Sequence, residues 1–401
     1  MTTRNVPLNA TAAKVDKRPD AIRMAQVGLA GGIGYAHINE VEKNPRFICV
    51  GGYDLYPTNS PVAAAIDRIA KGGGKIYRGF EEVLADPEVE AVDICTPHHF
   101  HRPMAVAAFQ AGKHVLVEKP MATHPDDCEA MIAAQRASGK VGAVQMQHVG
   151  QRSMLFLRDA LQNGAIGRLR EVFLNSLWWR TEEYYARIPW AGRMKIDGAW
   201  CVDGVLYNQC VHYINQMLTL VSPGPLPSVA RVKNLQCAMY QFHDATNLEA
   251  GDTAFITGII DIPDAPQMTA VGTTCSTEER HCIEILGDKG RAMWNGVGYL
   301  FPDGQPATEF HDDHPSPHLF NGNSMIFNSF AQAIRTNSTP LTAFSQIQYV
   351  TRFINDCYGV SRWQMKKAPW SATEALFKET IQQVRLHRCL PKDLPAPPVW
   401  V

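Results

Sequence analysis

From Ala25 onward the chain alternates short apolar runs with longer amphipathic ones, and no other feature narrows its fold so far. Short apolar runs bounded by glycine, proline or charged residues read as buried strands, while apolar residues at helical spacing read as helices. The expected strands are Ala25–Ala30, Phe47–Tyr53, Lys75–Tyr77, Val89–Thr96, His114–Val117 and Val141–Gln147. The expected helices are one running through His37 and Val41, then Pro61–Ile69, Phe80–Leu84, Pro103–Ala111 and Pro125–Ser138. A parallel strand pair needs a crossover, usually helical, so this alternation predicts an α/β chain with a doubly wound parallel sheet.

Open parallel sheets bind ligands at the carboxyl ends of their strands, so the turns there carry the chemistry. Gly31-Gly32-Ile33-Gly34 joins the first strand to its helix. Glycine needs no room for a Cβ, so such a turn lets backbone approach a pyrophosphate at a helix N-terminus. The run departs from G-x-G-x-x-G: it reads Gly28-Leu29-Ala30-Gly31-Gly32-Ile33-Gly34, with Leu29 in the first glycine's place and Gly28 one position early. Asp54 ends the second strand, where a carboxylate can accept bonds from an adenosine ribose and repel a 2′-phosphate. No arginine follows between 55 and 65, so the expected dinucleotide is NAD rather than NADP.

The fourth strand ends Thr96-Pro97-His98-His99-Phe100-His101. A zinc or iron site wants ligands from several elements, and no such set accompanies these histidines, so no metal is expected. Thr96, Pro97, His98 and His101 are instead expected to line the cofactor cleft. The fifth strand runs into Glu118-Lys119-Pro120, which sets Glu118 and Lys119 at the same cleft. Lys119-Pro120 is a candidate cis turn that would aim the ammonium inward.

A chain of 401 residues, 45% hydrophobic, is long enough for two domains. Its net charge of -1 and lack of a basic block argue against a nucleic-acid partner, and no run is long and apolar enough to span a membrane. The ten cysteines are scattered without a C-x-x-C pair and read as reduced thiols of a cytoplasmic protein. Residues 1–22 are expected to be a flexible extension without a secretory core, 23–150 a dinucleotide-binding domain, 151–389 a substrate-binding and oligomerisation domain, and 390–401 a proline-rich tail.

In the second half Leu169–Trp179, Val229–Met239, Thr253–Ile262, Met268–Cys275 and His281–Leu286 read as strands spaced for an antiparallel sheet. Asp203–Leu220, Ser324–Ile334, Ala343–Gln364 and Ala372–Leu386 read as helices, the first N-capped by Asp203 and carrying Asn208 and His212 on one face. One broad sheet face needs a cover, so a homodimer or homotetramer is expected. His311-Asp312-Asp313-His314 with His318 adjoins two prolines and reads as a loop rather than a metal set.

Three segments taken together, Val27–His37, Val92–His101 and Ala-Gly-Lys-His-Val-Leu-Val-Glu-Lys-Pro at 111–120, resemble the Gfo/Idh/MocA family of nicotinamide-dependent sugar and cyclitol dehydrogenases. The resemblance extends in order of elements from Ala25 to Pro369. It implies an N-terminal Rossmann domain, then an α/β domain with a large, mainly antiparallel, open-faced sheet, and it implies that Lys119 belongs to the active site. In that family a carboxylate and a histidine four residues apart join the lysine around the reacting hydroxyl. Here the histidine is His212 and Asn208 replaces the carboxylate; an amide can orient a hydroxyl but cannot stabilise an imidazolium as a carboxylate would.

Trp178-Trp179-Arg180, Tyr184, Tyr185, Arg187, Trp190, Arg193 and Trp200 crowd one stretch that lacks long apolar periodicity. It reads either as a loop over the cleft or as a set of core and interface anchors. On the first reading Arg180, Tyr185, Arg193 and Trp200 join Lys119, Asn208 and His212 around a pyranose sugar, sugar acid or glycoside. The reaction expected is reversible hydride transfer between a secondary alcohol, with C3 one candidate, and NAD. His212 is the base, Lys119 stabilises charge on oxygen and Asn208 orients the hydroxyl; Lys119 is the alternative base. Two other readings stand beside it. One is glycoside cleavage through transient C3 oxidation and elimination, and the other a dinucleotide-binding sensor without catalysis.

Overall fold

The computed structural model describes residues 17–29, 31–56, 60–244, 248–311 and 322–363. Most of the extension at 1–22, the helix expected at Ala372–Leu386, the tail at 390–401 and the cluster beyond His311 lie outside the described residues.

Six parallel strands form the first sheet: β1 (Ile22–Val27), β2 (Phe47–Tyr53), β3 (Lys75–Ile76), β4 (Ala91–Ile94), β5 (His114–Glu118) and β6 (Gly142–Gln145). Their order is β3-β2-β1-β4-β5-β6, so the chain reverses direction across the sheet between β1 and β4. Ligands bind outside the strand ends at such a switch point. The crossovers are α1 (Gly31–Lys43), α2 (Ser60–Lys71), α3 (Phe80–Ala85), α4 (His98–Gln110) and α5 (Pro125–Ser138). The central strands β4 and β5 are buried on both faces, which is why Val115–Val117 reads as a continuous apolar run rather than an alternating one.

Two expectations shift. β1 begins and ends earlier than Ala25–Ala30, because Gly28 turns the chain with φ +88°. Helix α4 starts at His98 rather than Pro103, so the three histidines occupy its first turn instead of a loop. Pro103 lacks one N–H early in the helix, which forfeits a single bond without breaking the helix.

After α6 (Arg152–Gln162), the strand β7 (Leu169–Trp179) opens the second sheet. The short helix α7 (Glu182–Ala186) and a hairpin of β8 (Lys195–Ile196) and β9 (Ala199–Trp200) follow. A π-turn at Leu206–Cys210 leads into α8 (Val211–Val221), then come β10 (Val232–Tyr240), β11 (Thr253–Ile260), β12 (Gln267–Thr273) and β13 (Cys275–Gly287). Three further strands, β14 (Gly290–Trp294), β15 (Val297–Pro302) and β16 (Thr308–His311), went unread because tight turns at Asp288-Lys289 and Asn295-Gly296 pack them closely. After α9 (Asn323–Thr336) and α10 (Phe344–Val360), β17 (Arg362–Trp363) closes a nine-stranded sheet ordered β16-β15-β14-β13-β7-β12-β11-β10-β17. All its pairs are antiparallel except β7 with β12 and β10 with β17.

Val172, Leu174, Ala254, Ile256, Met268 and Ala270 point from this sheet into the core, while Thr257 and Gln267 stand exposed on the other face. The π-turn seats directly on the inner face: a Cβ at Gly272 would lie 2.5 Å from Cys210 Sγ, so a glycine there lets the turn approach. Among the described residues the cysteines are free thiols and no helix is long and apolar enough to cross a membrane.

Candidate active site

The glycine turn is built by exclusion. At φ +88° a Cβ on Gly28 would sit 2.6 Å from the carbonyl carbon and oxygen of Cys95, and one on Gly34 would sit 2.4 Å from the carbonyl oxygen of Gly28. Gly28 therefore lets β1 end against β4, which accounts for a glycine one position ahead of the usual spacing. Asp54 closes the turn from β2: Oδ2 accepts the Leu29 N–H at 2.6 Å and Oδ1 accepts the Tyr56 N–H at 2.7 Å. A carboxylate at this strand end is where ribose hydroxyls of a dinucleotide would donate. A cradle that a Cβ would fill, at the switch point and beside a helix N-terminus, fits a dinucleotide pyrophosphate. Gly31, Gly32, Ile33 and Gly34 open α1 at that place.

Behind the cleft lies a buried charged network. His37 Nδ1 donates to Asp93 Oδ2 at 2.8 Å, and Nε2 donates to Glu118 Oε1 at 3.1 Å. Burial alone would lower the His37 pKa, but Asp93 and Cys95 outweigh it and hold the group well above its ordinary value. The second oxygen of Glu118 accepts the Lys119 backbone N–H at 3.0 Å. His101 bridges the carbonyls of Thr96 and Pro120, both at 2.8 Å, and His98 Nδ1 faces the Cys201 carbonyl at 3.1 Å. Glu118 and His101 thus hold protein groups that shape the strand ends, at the edge where the cofactor is expected. Thr96 and Pro97 lead into α4 at the same edge.

Lys119-Pro120 is cis, as the sequence suggested. Lys119 Nζ crosses to the second half of the chain and donates to the Asn208 carbonyl at 2.8 Å and to Asn208 Oδ1 at 3.2 Å. Desolvation lowers its pKa against the opposing pull of Glu118 and Asp203. Asp203 is not a helix cap; its buried carboxylate accepts the Gly192 N–H at 2.9 Å, and burial raises its pKa. The helix begins later, at the π-turn, and Gly204 just before it packs so tightly that a Cβ would meet the Ala250 carbonyl oxygen at 2.2 Å.

His212 is 6% exposed, and its Nδ1 has no hydrogen-bond partner among the described residues. Burial foremost, then His148, Lys119 and His281, hold its pKa well below 6.5, so the ring is neutral. His148 stacks on it with ring centroids 4.8 Å apart, and Tyr213 stacks on His281 at 4.1 Å. His148 and His281 were missed in the sequence, since neither stands in a motif and only tertiary packing brings them to His212.

The aromatic stretch divides. Arg180 stacks over Trp178 at 4.8 Å and Tyr184 at 5.1 Å, is ion-paired with Glu279, and contributes to the field on Lys119. Tyr184 reaches Asn208, whereas Tyr185 is buried with its hydroxyl 2.6 Å from Thr274 Oγ1. Arg193 pairs with Glu249, and Trp200 lies half exposed under Lys195, 4.0 Å from its ring centroid. Arg180 therefore stays near the cleft, while Tyr185 and Arg193 turn to other partners; adjacent residues on a short helix face different ways.

Two His–Asp–Cys groups, His37/Asp93/Cys95 and His243/Asp252/Cys275, have ligand-type atoms close together. In the second, Asp252 Oδ2 already accepts from the Phe242 and His243 backbone N–H groups, each at 2.7 Å, and from His243 Nδ1 at 3.0 Å. Its donors leave that oxygen little for an ion, and His243 Nε2 instead holds the Arg180 carbonyl at 2.9 Å.

Comparisons with known proteins agree with this geometry. An oxidoreductase family model with an NAD-binding Rossmann fold matches residues 22–148, and the GFO/IDH/MocA C-terminal domain matches 154–293. A 1,5-anhydro-D-fructose reductase of Ensifer adhaerens is 29% identical over 46% of this chain and 59% of its own length. A glycosyl hydrolase family 109 protein of Shewanella baltica is 26% identical over 46% of this chain and 44% of its own. The chain thus spans about half the length of these relatives. The WlbA dehydrogenase of Bordetella pertussis, solved with NADH and UDP-GlcNAcA, shares the fold with a TM-score of 0.71 and 24% identity, covering 85% of this chain and 97% of that one. Two family models in tandem over a Rossmann sheet and a large mixed sheet establish that the chain belongs to the GFO/IDH/MocA oxidoreductase family, with NAD as the dinucleotide of its first domain.

Proposed function

We propose that the protein is a dehydrogenase that moves a hydride between NAD and a secondary alcohol of a pyranose, sugar acid or glycoside. The observation that carries this reading is the bond from Lys119 Nζ, at the end of β5, to Asn208 on the second sheet's π-turn, with neutral His212 four residues further on. Gly28, Gly34 and Asp54 would hold the dinucleotide, which supplies the hydride acceptor or donor when bound. A hydroxyl gives up hydride only as it gives up its proton, so a base has to lie within reach of the oxygen. His212 takes that proton, Lys119 offsets the charge developing on oxygen, and Asn208 orients the hydroxyl. Lys119, whose own pKa burial draws down, is the competing base. The guanidinium groups of Arg187 and Arg180 lie close enough to act on Lys119 and Tyr184, which supports a sugar acid over a neutral polyol. Self-association over the outer face of the nine-stranded sheet, where half-buried Phe255 and Ile259 adjoin exposed Thr257, belongs to the same reading.

The likeness to a family 109 hydrolase supports a second reading, in which transient oxidation loosens an aglycone with no net redox. Both are tested by mixing the protein anaerobically with NAD or NADP and a panel of pyranoses, pyranosides and pyranosiduronates. Reduced nicotinamide and free aglycone are followed together. Reduced NAD that accumulates with substrate supports the dehydrogenase; aglycone released without it moves the assignment to the hydrolase. Silence in both channels despite NADH binding refutes both and favours a sensor.

A further inference from the structure

Asn208 faces more than Lys119. Its Nδ2 donates to the Tyr184 hydroxyl oxygen at 3.2 Å, and Gln209 Nε2 donates to the same oxygen at 2.9 Å. The ammonium of Lys119 settles which end of the Asn208 amide is which, because it can donate only to the carbonyl oxygen, leaving the NH2 to face the phenol. A phenol oxygen that accepts two N–H bonds has committed its lone pairs, so its own hydrogen points elsewhere. Among the described residues no group accepts that hydrogen. The ring is clamped between guanidiniums, with Arg187 3.5 Å and Arg180 5.1 Å from its centroid. Burial, and after it the Asp203 carboxylate, raise the phenol's pKa against Arg187 and Arg180, so the group keeps its proton at neutral pH and is a donor rather than a base.

We propose that Tyr184 is a further catalytic residue: its O–H donates to the reacting oxygen of the substrate and shares with Lys119 the charge that develops there. This rests on the assignment of Lys119, Asn208 and His212 as the reacting centre. A carbonyl oxygen has two lone pairs, and an ammonium and a phenol held at the two ends of one amide are placed to take one each. The substrate proton still passes to His212, and the phenol proton stays on Tyr184. Gln209 is then a positioning residue, since it acts through the phenol.

The test is Tyr184→Phe, which removes one oxygen, assayed with NAD on the pyranosides and pyranosiduronates the wild type oxidises. The expected kcat falls about 100-fold, as when one donor to a developing oxyanion is lost, with KM little changed. NADH affinity by fluorescence titration is expected to match the wild type. The primary deuterium isotope effect on kcat is expected to rise, because hydride transfer becomes slower than product release. Gln209→Met, which strips one donor from the phenol oxygen while leaving the phenol in place, is expected to lower kcat up to about tenfold with the same rise in isotope effect. A Tyr184→Phe enzyme with kcat within about threefold of the wild type, or with only KM raised, overturns the proposal and leaves the dehydrogenase reading intact. If Tyr184→Phe loses NADH binding, Gln209→Met decides: an unchanged isotope effect overturns the proposal. A wild type that reduces no NAD across the panel fails at the parent reading, and this assignment falls with it.

Discussion

Replacing Asn208 with aspartate separates the two candidate bases. The substitution keeps the side chain's size and turns Oδ1, 3.2 Å from Lys119 Nζ, into part of a carboxylate. At that distance an opposite unit charge is worth about 5 kcal/mol at an effective dielectric constant of ~20. That figure is a ceiling, because Lys119 is partly exposed and Glu118 and Asp203 already favour its charged form. Allowing for solvent screening, the new carboxylate is expected to raise the Lys119 pKa. The assay is the pH dependence of kcat/KM for NAD reduction. If His212 is the base, the acid limb lies below 6.5 in the wild type, shifts upward in the variant, and activity at neutral pH is kept. If Lys119 is the base, the limb belongs to an ammonium whose pKa burial lowers, and it moves to higher pH in the variant, so activity at pH 7 falls. The position of the limb is the readout rather than its height, since the new carboxylate would also capture the Tyr184 hydrogen. A limb that does not move in the variant refutes the electrostatic reasoning, because no titrating base could then be adjacent to position 208.

Gly34→Ala is expected to weaken NADH binding at least about tenfold and to cost about 1–3 kcal/mol of stability, since its Cβ would meet the Gly28 carbonyl oxygen at 2.4 Å; fluorescence titration and thermal melts measure both. Arg193→Ala is expected to leave KM unchanged and to cost less than about 1 kcal/mol, because its pair with Glu249 is some 40% exposed on both sides. A raised KM in that variant would return Arg193 to the substrate site. Acid should destabilise the fold as pH drops below 6.5: His98 and His212 are held neutral with lowered pKa values, so the unfolded chain binds their protons first. His37 acts in the opposite sense, its contribution complete below its ordinary value and lost as pH rises through the raised folded one. Melts across pH 5–8 on wild type and His37→Gln check both signs; the variant should keep the acid-side loss and lose the His37-linked decline in stability as pH rises above 6.5.

The first sheet was legible because local rules and tertiary placement coincide there. Apolar runs between glycine and proline turns can only be buried strands, and Lys119 falls at a strand end whatever the rest of the chain does. The second half was legible as a sheet but not in detail: the hairpin turns beyond β13 are short, and alternation across Gly290–His311 is blurred by half-buried residues such as Tyr299 and Phe301. Spacing on a helix located Asn208 and His212, although the π-turn that carries Asn208 has no sequence signature. The places of Tyr185 against Thr274 and of Arg193 against Glu249 were not legible, because composition shows that a stretch is aromatic and cationic, but not which of two adjacent tyrosines is buried. The His37 network escaped notice for a related reason. Its members come from α1, β4 and β5, and nothing local in His37, Asp93 or Glu118 marks them as neighbours.

The shorter of the two bonds that anchor Lys119 ends on the main-chain oxygen of residue 208, not on its side chain. Every amino acid has that oxygen, so the lysine's tether survives any residue exchange that preserves the π-turn. The side chain at 208 is correspondingly free to be altered for chemistry alone. An amide there rather than a carboxylate is then a setting of the site's charge, adjustable in evolution or by design without loosening the clasp between the two sheets.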